Sequence, residues 1–132
     1  MANPIETVTA FCEAFSEDHG KGAVRKWFTP DTVWVNEGVS ITTGIEEAIA
    51  ALEAVEKAVG LKDAQFEMLA IAADGNRVLT ERLDRFWRAD GSEIGATMVM
   101  GIFEIEGDHI VAWRDYYDVR AGEKWAATAS ET

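Results

Sequence analysis

Three turn sequences in the second half of the chain constrain its fold more than any other feature. ADGN at 73–76, ADGS at 89–92 and EGDH at 106–109 carry the glycine and aspartate chemistry that lets a backbone reverse between two strands. The runs around them predict four strands, roughly 64–72, 77–88, 93–105 and 109–119, joined by hairpins into an antiparallel meander. The third run, EIGATMVMGIFEIE, is apolar on both alternating rows. Ile94, Ala96, Met98, Met100 and Ile102 share one row, and Val99, Gly101, Phe103 and Ile105 share the other. Such a strand needs cover on both faces. Helices supply one side, and the other is expected to meet a second subunit or the chain's own tail.

The first half is helical. NPIETVTAFCEAFSEDHG has a cap-like Asn3, Pro4 in the first turn and apolar residues at Ile5, Val8, Phe11, Cys12 and Phe15, with Gly20 and Gly22 expected to end the helix. A short helix over AVRKWF should stop at Thr29, because Pro30 disfavours helical geometry in the residue before it. DTVWVNE then reads as a strand, and Gly44 to Gly60 as a helix rich in Ala, Glu and Leu. Helices first and a long antiparallel sheet afterwards make an α+β arrangement. The 132 residues are expected to form one domain, with no fold indicated for the tail after about residue 122.

A net charge of −12 with no dense Lys/Arg cluster argues against nucleic acid as a partner. The same field repels anions and leaves a neutral, apolar molecule unaffected. Cys12 is the only cysteine, so no intrachain disulfide and no cysteine-rich metal site is expected. The opening MANPIETVTAF has no basic segment before an apolar one, and no run approaches the roughly 18 apolar residues that span a bilayer. The expectation is a cytoplasmic protein without a membrane partner. His19 and His109 read as exposed loop residues with no metal spacing between them, and Glu46, Glu47, Glu53 and Glu56 as a solvated helix face.

The chemistry lies in two strands. Alternation puts Val78, Thr80, Arg82, Asp84, Phe86 and Arg88 on one row of the second sheet strand. In HIVAWRDYYDV, the row Val111, Trp113, Asp115, Tyr117 and Val119 is apolar except at Asp115, which is thus expected to face inward. A carboxylate on an apolar row needs a partner, and an arginine fork between two carboxylates is a common solution. Arg82 is the natural candidate. A single buried charge pair is most simply a structural ion network, whereas three charged groups together with Asn36 point toward a reaction.

TERLD followed by GIFEIEGDHIVAWRDYYDV resembles the limonene-1,2-epoxide hydrolases, in which E-R-x-D precedes G-x-F and then W-R-D-Y-(F/Y)-D. The likeness extends to TVWVN at 32–36 and, less specifically, to the first helix and GIEEAI. It implies a cone-shaped, curved, antiparallel or mixed sheet wrapped around the N-terminal helices, as in the wider NTF2-like and SnoaL-like superfamily. It also implies a deep apolar pocket, a homodimer, and one-step hydrolysis of an epoxide to a vicinal diol with no cofactor or metal. Carried over by position, Asp115 takes a proton from water, Asn36 helps hold that water, Asp84 protonates the epoxide oxygen and Arg82 bridges the two carboxylates.

Trp34 departs from the pattern, standing where these hydrolases usually have a tyrosine that holds the water. An indole donates but does not accept as a phenol does. Either its N–H holds the water, or its bulk narrows the pocket, or it fills the core. Trp113 and Tyr117 beside Asp115 are pocket candidates, as is Phe86 on the Arg82 row. Met98 is open to a pocket role or to core packing. The partners implied are a neutral apolar epoxide and water. Two rival readings use the same cone: a cyclase or ketosteroid-isomerase-like enzyme with Asp115 as its only base, and a noncatalytic small-molecule-binding domain whose charged trio is structural.

Overall fold

The computed structural model describes residues 3–120. Asn3 has extended backbone, and its side-chain oxygen accepts from the Glu6 amide at 2.9 Å, so helix α1 (Pro4–Ala14) starts at the predicted cap. It buries Thr7, Val8, Phe11 and Cys12. It ends earlier than the glycines predicted. Residues 15–20 turn back through a 3-10 turn, Glu17–Gly20, with Asp18 and His19 left-handed at φ 51° and 55°. Non-glycine residues stay in that region only where their surroundings hold them. Here His19 Nδ1 lies 2.7 Å from Glu56 Oε2, and Nε2 lies 2.6 Å from the Lys62 carbonyl oxygen. His19 is therefore a half-buried bridge and not the exposed loop residue expected; His109 is exposed.

Helix α2 (Lys21–Trp27) stops one residue early because Phe28 is already extended and belongs to β1 (Phe28–Asn36). A short, mostly exposed strand, β2 (Ser40–Thr43), pairs antiparallel with β1 and was not predicted. Helix α3 (Gly44–Val59) closes on Gly60 at φ 66°, as its sequence indicated. Its acidic face is partly engaged. Glu47 accepts from the Thr43 amide at 3.1 Å, and Glu56 is held by His19 and by Lys21 Nζ at 2.9 Å.

The predicted meander is present as β3 (Leu61–Asp74), β4 (Arg77–Arg88), β5 (Glu93–Glu106) and β6 (His109–Tyr116). The six strands run in the order β2-β1-β6-β5-β4-β3, with β1 parallel to β6 and every other pair antiparallel. That parallel pairing aligns Trp34 with Trp113 and Asn36 with Asp115. Breaks in register, among them Met68/Ala70, Phe86/Trp87 and Glu104/Ile105, mark bulges that sharpen twist and let the sheet curl. The last break also changes the phase of β6: Ile110 faces inward, then Trp113 and Asp115.

The helices fill the concave side with aromatic rings centred on Phe11, which packs against Phe15, Trp27, Phe28, Phe103 and Trp113. On the other side Leu79, Met98, Met100 and Tyr116 remain 39–52% exposed. Met98 thus sits on the outer row, opposite to Arg82 and Asp115, and the pocket role considered for it is corrected. The tail that was a candidate cover, from residue 121 onward, lies outside the described residues. Among the described residues no helix is long and apolar enough to cross a membrane.

Candidate active site

Arg82 is the largest charged side chain in the interior, with no exposure at all. Strand β4 turns it inward between Thr80 and Asp84 on the same row. All five of its N–H groups have acceptors. Nε and Nη2 donate to Asp84 Oδ1 and Oδ2 at 3.1 and 2.9 Å. Nη1 and Nη2 donate to Asp115 Oδ1 and Oδ2 at 3.1 and 2.9 Å, and Nη1 also donates to Thr80 Oγ1 at 3.3 Å. The guanidinium lies over the Phe66 ring, 4.6 Å from its centroid. The trio drawn from two strands is therefore one buried cluster, with Asp84 5% and Asp115 4% exposed.

Two carboxylates around one cation leave a net negative charge in a dry place, and the protonation equilibria respond. Burial pushes the Asp84 carboxyl up to about 6, against the pull of Arg82 in the other direction, with Asp115 adding to the rise. Burial works against the Arg82 charge as well, but Asp115 and Asp84 outweigh it and hold the guanidinium protonated above its ordinary range. A carboxyl that holds its proton to about pH 6, beside one bound by an extra donor, is suited to act as the acid of a pair.

That extra donor is Trp113, whose Nε1 gives its hydrogen to Asp115 Oδ1 at 2.7 Å. Trp113 has no exposed surface; Trp34 stacks on one side of it at 4.8 Å and Phe103 on the other at 5.2 Å. Trp34 is 8% exposed, and its own Nε1 is buried with no hydrogen-bond partner among the described residues. Asn36, beside Asp115 in the parallel register, accepts from the Tyr117 hydroxyl at 3.3 Å, and its Nδ2 donates to Ser40 Oγ at 3.5 Å. Burial, then Asp115 and Asp84, raise the Tyr117 phenol above its usual range. Phe86 is half-buried two residues beyond Asp84.

Two participants escaped the sequence reading. Thr80 accepts from Arg82 and donates to the Gly101 carbonyl at 3.3 Å. Gly101 is the residue over which the cluster closes: a Cβ there would lie 2.5 Å from Asp115 Oδ1 and 2.6 Å from Arg82 Nη1. The G-x-F run contained that signal, a glycine in the most apolar strand. Cys12, buried nearby on α1, has its thiol pushed up to about 12 by burial. A hollow of about 410 Å³ beside Asn36 is lined by residues 35–41, and another of about 380 Å³ lies between Lys62 and Gly91. Neither is lined by Arg82, Asp84 or Asp115. Among the described residues no three His, Cys, Asp or Glu side chains group as a metal site would require.

The sequence matches the limonene-1,2-epoxide hydrolase catalytic domain over residues 2–124. Epoxide hydrolase EphG of Mycobacterium tuberculosis is 33% identical over 98 residues, covering 67% of this chain and 56% of EphG. The chain thus spans little more than half the length of that curated relative. The solved structure of an LEH-like epoxide hydrolase from M. tuberculosis has a TM-score of 0.75 at 28% identity, over 97% of this chain and 92% of the other. An NTF2-like protein of unknown function from Burkholderia pseudomallei shares the fold, with a TM-score of 0.74 at 19% identity over 93% of this chain and 95% of the other.

Proposed function

The chain belongs to the limonene-1,2-epoxide hydrolase family, and on that premise we propose that it adds water to a neutral, apolar epoxide, of the limonene-oxide or cyclic kind, to give a vicinal diol. The observation that carries this reading is the single buried guanidinium forked onto two aspartates, one of them with its carboxyl raised to about 6. In one step, Asp115 takes a proton from water and the water oxygen attacks an epoxide carbon. The C–O bond breaks, and the leaving oxygen receives the proton of Asp84. Asp115 is left protonated and Asp84 ionised, and exchange with solvent resets the pair. Opening a ring this way needs base and acid at the same moment, each worth about 10² to 10⁴ in rate.

Asn36 and Tyr117 hold the attacking water on the Asp115 side, and the unpaired Trp34 N–H is a further donor to it. A buried N–H without a partner is unfavourable by about 1–3 kcal/mol, and a bound water relieves that. The net charge of −12 favours an uncharged substrate. The exposed apolar row of Leu79, Met98, Met100 and Tyr116 suits a second copy of the chain, and the assembly we propose is a homodimer. A reducing cytoplasm suits the free Cys12 thiol.

The test is turnover of limonene oxide and cyclohexene oxide in ¹⁸O-labelled water with enzyme in excess. One-step hydrolysis puts label into the diol in the first turnover; an ester intermediate on either aspartate would release unlabelled diol first. Exchange of a ketosteroid α-proton with no diol would support the isomerase reading instead. Ligand-induced melting shifts without turnover of either kind would leave a binding domain.

A further inference from the structure

We infer that Trp113 decides which aspartate of the pair is the base. Arg82 cannot make that choice, because it gives Asp84 two hydrogen bonds at 3.1 and 2.9 Å and gives Asp115 the same two distances. The arrangement is symmetric until Trp113 adds a third donor to Asp115 at 2.7 Å. Among the described residues, the hydrogen bonds to the Asp84 side chain all come from Arg82. A donor to a carboxylate favours the ionised over the protonated form, so the proton that the two groups share is directed to Asp84.

The indole is held for this purpose. It lies between Trp34, parallel within 6°, and Phe103, within 16°, and Phe11 meets its edge at 83°. With no room to turn, its N–H is aimed before any substrate arrives. The bond also chooses the reacting atom. Oδ1 of Asp115 accepts from both Trp113 and Arg82 Nη1, which occupies its two lone pairs, whereas Oδ2 accepts only from Arg82 Nη2 among these. The remaining lone pair of Oδ2 receives the water proton. Of the other groups whose charge acts at Asp115, Arg82 and Asp84 come from β4, Cys12 from α1 and Tyr117 from beyond β6. Cys12 and Tyr117 are neutral near neutrality, since burial raises both.

Trp113 is thus a positioning residue, and this inference rests on the acid and base roles proposed above. The experiment is a carboxyl ¹³C NMR titration of aspartate-labelled protein, assigned with Asp115→Asn and Asp84→Asn, comparing the parent with Trp113→Phe. Substitution of residue 113 by benzothienylalanine, which keeps the bicyclic shape and lacks the N–H, serves if phenylalanine fails to fold. Removing the donor should move the protonation of the residue-115 carboxyl to higher pH, because a donor to a carboxylate favours its ionised form. The acid side of the kcat/KM profile should move with it. Superimposable curves in a folded variant would overturn the inference while leaving the hydrolase reading intact if the parent still makes diol. A parent that opens no epoxide, yet shows the carboxyl shift, would sink the hydrolase reading and the choice of base with it, leaving only the effect of the Trp113 N–H on the Asp115 proton.

Discussion

Replacing Gly101 with alanine is expected to destabilise the protein even though alanine is ordinarily the better strand residue by roughly 0.5–1 kcal/mol. Gly101 needs no special backbone conformation; it has no φ in the left-handed region and pairs with Thr80 and Asp115 in the sheet. The constraint is space. An added Cβ would stand 2.5 Å from Asp115 Oδ1, 2.6 Å from Arg82 Nη1 and 3.0 Å from Thr80 Oγ1, where ordinary contact begins at 3.4 Å. None of these atoms is a free end that can swing away. The guanidinium has every N–H committed, and Trp113 holds the carboxylate oxygen from the other side. The bond between Arg82 Nη1 and Asp115 Oδ1 has to open, at about 1.5–3 kcal/mol for a charged hydrogen bond, with overpacking strain of about 1–3 kcal/mol besides. After the strand gain is deducted, a loss of about 2–5 kcal/mol in urea unfolding is expected. Diol formation should fall about 10²-fold, since the base moves by close to 1 Å. Gly22→Ala is the control: among the described residues nothing beyond its chain neighbours and its own helix backbone lies within 4 Å of the added Cβ, and helix α2 should gain up to about 1 kcal/mol. If Gly101→Ala were as stable and as active as the parent, the carboxylate and guanidinium could not be packed over that glycine.

The folded-state value of Asp84, about 6, lies above the unfolded 3.8, so its stabilising contribution is full below about pH 4 and disappears as pH rises through about 6, a change of about 3 kcal/mol. Urea unfolding across pH 4 to 7 should show that decline in the parent, and Asp84→Asn should remove this component; the acid role also predicts that kcat/KM falls above about pH 6. Trp34→Phe keeps the stack on Trp113 but removes the unpaired N–H; about a tenfold loss of kcat with an unchanged or raised melting temperature is expected, and undiminished kcat would reduce Trp34 to core packing. Met98→Glu with Met100→Glu places charges on the exposed apolar row; sedimentation should show a dimer converted to monomer, and an unchanged mass would move the interface elsewhere.

The meander was legible because its signals are local: glycine turns at 75, 91 and 107 and alternating rows between them. Arg82, Asp84 and Asp115 were legible for a related reason, since a charge on an apolar row has few permitted explanations. What sequence could not supply was long-range or depended on side-chain shape. The parallel pairing of β1 with β6 joins residues some eighty positions apart, and nothing in TVWVN names its neighbour. Strand β2 is short and exposed and so lacks the apolar alternation that marks a strand. The phase of β6 changes at a bulge, which alternation alone cannot foresee. His19 was read as exposed because it lies in a turn, yet a half-buried carboxylate and a carbonyl meet its two nitrogens.

The cluster also explains why so apolar a core retains three ions. Apolar residues of similar volume would often be neutral or favourable by about 1–4 kcal/mol relative to a buried ion set, and the rings of Phe66, Phe103 and Trp113, with centroids 4.6, 5.9 and 5.8 Å from the guanidinium carbon, already make the surroundings apolar. Stability alone therefore does not account for the trio. The desolvation that disfavours the second carboxylate is also what keeps a proton on Asp84 to about pH 6, and in water the same two aspartates would both be ionised and neither could act as an acid. In the reaction proposed above, burial and the one guanidinium make the two aspartates share a proton, and the indole N–H on Asp115 is the contact that distinguishes them. A site built this way is stable only as a unit: removing one member leaves uncompensated charge in the core, so its parts resist change singly even where none of them contributes much net stability.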